Sequence, residues 1–196
     1  MPLDPSRFHT VNVSDTCAVW NVMSSTTLYR AAVLKGCTFC FTRFVAYECF
    51  EKPRGVLASE DAELQRRLRA AIETGQFKTY HIDIEDLQDV AALQGGRRIS
   101  KGELSSIVFA KRVGQAFLTD DQKARHLAEV VLDVARVQST PHLFGWLCYQ
   151  GALTDSDKAT VINEHESMRR PLAPYFEEMY LRALELRLAH PDREPA

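Results

Sequence analysis

Five carboxylates stand where a chain of alternating strands and helices would present them to a ligand. Asp15 ends the short apolar burst Val11-Asn12-Val13-Ser14. Glu48 lies in a helical stretch after a second burst, Cys37-Thr38-Phe39-Cys40-Phe41. Glu103 falls in the first turn of a later helix, and Asp120 and Asp121 directly follow the run Gln115-Ala116-Phe117-Leu118-Thr119. In open parallel sheets, ligands bind beyond the carboxyl ends of the strands. Five acids from four distant segments are therefore candidates for one rim. Two carboxylates about 4 Å apart repel by roughly 4 kcal/mol at an effective dielectric near 20. A cluster of them must raise its pKa values or bind a cation. Oxygen donors suit hard ions, chiefly Mg²⁺ or Mn²⁺. Such ions hold phosphates, activate water and stabilise a leaving oxygen.

Each acid also has a purely structural reading. Ser100-Lys101-Gly102-Glu103 is a capping-box pattern, in which Glu103 returns a hydrogen bond to the helix start. Thr119-Asp120-Asp121-Gln122 has the same shape, and acids in a first turn complement the helix dipole. Glu48 also fits an exposed helix position. Asp15 is harder to dismiss, because it follows an apolar strand directly and its burial would be costly without a role. Lys101, Lys123 and Arg125 lie beside these acids in sequence. They suit contacts to flanking phosphates, or are solvated helix charges.

The elements that must position these groups read as an alternation. Strands are expected at 11–15, 37–41, 79–84 and 115–119, with a fifth at 134–137. Helices are expected from 16, from 25 to a stop at Gly36, from about 42, and over 60–74, 85–93, 100–113, 120–131 and 141–149. Glu51-Lys52-Pro53-Arg54-Gly55 breaks the chain, and Gly95-Gly96 marks a helix end. Two further helices, 155–169 and 174–188, follow without strands. This order predicts a three-layer α/β/α fold with a central, mostly parallel sheet, plus C-terminal helices.

The 196 residues suffice for one domain with an appendage. A net charge of −2, from 24 basic and 26 acidic residues, excludes bulk electrostatic attraction to nucleic acid. Any such partner must be held by a local basic patch or through bound metal. No apolar run approaches membrane-spanning length, and the N-terminus lacks a secretory pattern, so a cytoplasmic protein is expected. Five cysteines are an odd count for a disulfide framework. Cys37 and Cys40 form a C-x-x-C, but positions three apart on a strand point to opposite faces, so buried thiols are expected.

The motifs, taken in order, resemble PIN-domain proteins. The matching residues are Ser14-Asp15-Thr16, Tyr47-Glu48, Gly102-Glu103-Leu104-Ser105-Ser106-Ile107 and Leu118-Thr119-Asp120-Asp121-Gln122-Lys123-Ala124-Arg125, with Thr140-Pro141-His142-Leu143-Phe144-Gly145 and Gln150-Gly151-Ala152-Leu153 later. The likeness is greatest to the branch that includes toxins of toxin–antitoxin pairs. It spans a nuclease domain at 10–153, with 154–190 a C-terminal helical extension.

The resemblance implies a divalent-metal-dependent endonuclease acting on single-stranded nucleic acid, RNA before DNA, and leaving a 5′ phosphate and a 3′ hydroxyl. It makes Asp15, Glu103 and Asp121, with Asp120, the ligands of Mg²⁺ or Mn²⁺, and Glu48 a further catalytic acid. Thr16 and Thr119 become supporting hydroxyls, and Arg125 a recurrent arginine of the branch. It also implies an antitoxin protein and a homodimer as partners. Glu103 stands where many relatives carry Asp. A relative that has lost catalysis would be a PIN-like binding module.

Other Mg²⁺ enzymes fit less well. Asp15 is followed by Thr16 and Cys17, so the Asp-x-Asp of haloacid-dehalogenase phosphatases is missing. Nor is there a Gly-x-x-x-x-Gly-Lys loop, a Gly-x-Gly-x-x-Gly fingerprint or a Gly-x-Ser-x-Gly elbow.

Overall fold

The computed structural model describes residues 4–52, 58–94 and 99–189. Its centre is a five-stranded, wholly parallel sheet of β1 (Val11–Ser14), β2 (Thr38–Thr42), β3 (Phe77–Tyr80), β4 (Ala116–Leu118) and β5 (Val137–Gln138). The spatial order is β3-β2-β1-β4-β5. The chain thus winds outward from β1 in one direction, then crosses back to place β4 on its other side.

Parallel neighbours need crossovers, and helices supply them. Between β1 and β2 run α1 (Thr16–Ser24) and α2 (Thr26–Leu34). α3 (Arg43–Phe50) and α4 (Ser59–Glu73) lead to β3, α5 (Ile84–Gln94) and α6 (Lys101–Val113) to β4, and α7 (Gln122–Val131) towards β5. The reversal of winding puts the two sets of helices on opposite faces. α1 to α4 share a core with Phe39, Phe41 and Phe77. α6 and α7 share the other with Val13, Cys40 and Phe117. Alternation along β2 decides this split, and it separates the two cysteines of the C-x-x-C. Cys37 lies in the first core and Cys40 in the second. All five cysteines are free thiols.

After β5 the chain is helical: α8 (Thr140–Tyr149), α9 (Asp155–Ser167) and α10 (Ala173–Ala189). α8 is buried along its whole length, capped by Ser139 and started by Pro141. Residues 154–189 share the first core through Val161, Phe176, Tyr180 and Ala183. No helix among the described residues is long and apolar enough to cross a membrane.

Two elements differ from the sequence expectation. The third strand begins earlier, at Phe77, and ends before Ile84. Gly75, at φ 75°, closes α4 and turns the chain straight into the strand. Meanwhile the Asp83 amide donates to Asp86 Oδ2 (2.9 Å) and the Asp83 carbonyl accepts from Leu87 (3.1 Å), which commits Ile84 to α5. The expected strand at 134–137 is mostly a 3₁₀ turn over Val134–Arg136, capped by Asp133, and only Val137 and Gln138 pair with β4. The Pro53-Arg54-Gly55 break and the Gly95-Gly96 stop lie outside the described residues.

Candidate functional site

In a doubly wound sheet, the crevice forms where the winding reverses, beyond the carboxyl ends of the two strands that flank the reversal. Here those strands are β1 and β4. Asp15 continues β1 by one residue, and its amide donates to the Leu118 carbonyl (3.2 Å). It then caps α1, with Oδ1 accepting from the Ala18 amide (2.8 Å). Thr119 continues β4, and its hydroxyl donates to Asp15 Oδ2. The same hydroxyl oxygen accepts from the Asp121 amide (3.1 Å). Asp15 and Thr119 are both fully buried. Burial is the main cause that pushes the Asp15 carboxyl up to about 8, against the Ala18 and Thr119 hydrogen bonds that lower it; the charges of Asp120 and Glu103 raise it further.

Glu103 arrives from the crossover to β4. It sits in the first turn of α6 in a complete capping box: its amide donates to Ser100 Oγ (3.1 Å), and Oε2 accepts from the Ser100 amide (2.8 Å). Burial raises its pKa first, opposed by the Ser100 hydrogen bond, and the charges of Asp121 and Glu48 add to the rise. Asp121 caps α7, with Oδ1 accepting from the Lys123 and Ala124 amides (2.7 and 2.9 Å). Among the described residues, no hydrogen bond uses Glu103 Oε1 or Asp121 Oδ2. The capping reading holds for both acids, and each cap engages one carboxylate oxygen.

Glu48 reaches the rim from α3. The Thr16 hydroxyl donates to its Oε2. Its carboxyl lies over the first turn of α6, where a Cβ on Gly102 would fall 2.5 Å from Oε2 and 2.8 Å from Cδ. Gly102 is therefore a site residue that the acid pattern alone did not single out. The N-termini of α1, α6 and α7 all open towards this crevice, and each favours nearby negative charge. Below, Thr42 and Ser105 hydroxyls pair at 2.7 Å and tie β2 to α6.

Asp120 turns away from its neighbour. Its Oδ1 accepts from the Thr140 amide (2.8 Å), and its Oδ2 accepts from the Thr140 hydroxyl (2.6 Å) and Asn21 Nδ2 (2.8 Å). It thus fastens β4 to α8 and α1, while its charge still reaches Asp15. Cys17 also lies in this field. Burial, then Asp120 and Asp15, pushes its thiol up to about 12, which makes it an inert neutral group.

Two clefts flank the acids. One, of about 650 Å³, is lined by Arg43, Tyr47, Glu48 and Lys101 among others. The second, of about 390 Å³, runs from Asp120 past Arg125 to α10. Lys123 stands exposed on α7 and lines neither. Arg43 was not evident among the acid-adjacent bases, because it neighbours Glu48 only across a turn and a half of helix.

The donor set is chemically apt for a hard cation: carboxylate oxygens that raise one another's pKa, beside neutral hydroxyls. Among the described residues, however, no three or more His, Cys, Asp or Glu side chains are placed so as to hold an ion as they stand. No family model matches the chain, and no curated protein or solved structure matches it significantly.

Proposed function

We propose that the protein is a divalent-cation-dependent endonuclease of single-stranded nucleic acid, RNA in the first instance. The observation that supports this reading is a chain of like charge at the crevice: Glu103 acts on Asp15, Asp121 and Glu48 act on Glu103, and burial drives Asp15 towards its protonated form. The resemblance of the same segments to PIN-domain proteins supports it.

Asp15, Glu103 and Asp121 would hold Mg²⁺ or Mn²⁺. When bound, that ion supplies Lewis acidity towards a phosphate oxygen and a water. The chain's own groups do the rest. Thr119 orients Asp15, and Thr16 orients Glu48, whose carboxylate is suited to take a proton from the attacking water. Arg43, Lys101 and Arg125 line the flanking clefts and offer charge to neighbouring phosphates. Substrate charge is thus met locally, although the chain as a whole is slightly acidic.

The test is cleavage of a mixed panel of single-stranded RNA and DNA with Mg²⁺, Mn²⁺ or EDTA, using wild type and Asp15→Asn. Cleavage is expected with metal only, and is lost in Asp15→Asn. That variant keeps the fold, because Asn can still cap Ala18 and bond Thr119. Metal-independent cutting, or cutting unchanged in the variant, would sink the proposal. A folded wild type that binds but never cuts would leave a binding module in which the acids serve only as caps.

A further inference from the structure

The nuclease reading says where a strand would be cut, not how it lies. The second cleft bears on this. It begins at Asp120, next in sequence to the acid Asp121, and runs between α7 and α10. Its walls carry Arg125 from α7, and Tyr175 and Arg182 from α10. Glu178 also lines it, and lies 3.7 Å from Arg182 across one helical turn.

Tyr175 is the informative residue. Its sequence neighbour Phe176 is fully buried and Met179 nearly so, yet Tyr175 is 56% exposed. Among the exposed large apolar side chains of the described residues, Tyr47, at 46%, is the other aromatic that lines a cleft beside the acids. An exposed tyrosine with two basic side chains lines each cleft: Tyr47 with Arg43 and Lys101, Tyr175 with Arg125 and Arg182. Stacking rings interleaved with cations are the means by which proteins hold single strands without reading sequence.

We infer that the cleft between α7 and α10 is a nucleotide subsite of the nuclease, in which a base flanking the cut stacks on Tyr175 and its phosphate meets Arg125 and Arg182. The C-terminal helices are then part of the substrate-binding surface as well as of the core. The inference rests on the nuclease reading, and its test separates the two.

Binding of a fluorescent mixed-sequence single-stranded RNA, and of DNA of the same sequence, is measured by anisotropy in EDTA, alongside cleavage in Mg²⁺. Variants are Tyr175→Ala, Tyr175→Phe and Arg182→Gln. Tyr175→Ala is expected to weaken binding by about 5- to 100-fold, while Tyr175→Phe retains it. Arg182→Gln should weaken it and flatten the logarithmic salt dependence by about 1. If wild type cuts and binds, and a folded Tyr175→Ala does both equally well, the subsite is overturned and the nuclease stands. If wild type neither binds nor cuts either polymer, both fall together. RNA against DNA shows whether the cleft discriminates the sugar.

Discussion

At the scale of the residue, neighbours in sequence part company in space. Asp120 and Asp121 look like one acidic pair, yet Asp120 is taken by Thr140 and Asn21, and Asp121 caps α7 at the rim. Gly102 shows the converse, since a residue with no chemistry of its own makes room for the Glu48 carboxyl. Gly102→Ala puts a methyl group where that carboxyl lies, in a helical first turn that prefers Ala to Gly by up to about 1 kcal/mol. Melting temperature should hold or rise. Cleavage should fall by about 100-fold if Glu48 is displaced by an ångström. Equal activity at equal stability would remove Glu48 from the machinery. Asp15 was legible in the sequence because few residues follow an apolar strand at such cost. Gly102 and Arg43 were not, because their importance depends on which helix lies over which.

Elements carry the next lesson. Helices with strong stops were readable: the capping box of α6 and Gly114 behind it stand as the sequence indicates. β3 was misplaced because residues 79–84 alternate like a strand, while the strand ends at Tyr80 and the Asp83–Asp86 bond claims Ile84 for α5. α10 looked like an appendage, and local pattern could not say what its apolar residues meet. In the structure Phe176 lies against Phe144 (5.0 Å between centroids) and His165 (4.7 Å), with no exposure. Phe176→Ala should therefore cost about 3–5 kcal/mol, read as a lower midpoint in urea. A cost near zero would mean that α10 is not seated on α8 in solution.

For the molecule as a whole, stability should depend on pH in a definite sense. Burial lowers the pKa of His142 and of His165 below the ordinary 6.5. The unfolded chain therefore takes up protons first as pH falls, so stability is complete above about 6.5 and is lost below it. Asp15 acts oppositely: its raised pKa removes stability as pH climbs from 3.8 towards about 8. In metal-free Asp15→Asn/Glu103→Gln neither raised carboxyl acts, so melting temperature should drop as pH falls below about 6.5. A flat profile there would mean that neither imidazole is neutral in the fold. Strand alternation made the three layers readable, but the strand order is a property of long-range pairing and left no local mark. That order also sets a timetable. β1 can pair with β2, and β2 with β3, early, while the Thr119–Asp15 bond joins residues 104 apart. At ribosomal speed that interval is about 5–20 s. The crevice cannot close until β4 is made, so a nascent chain carries the buried Asp15 long before the hydroxyl that holds it.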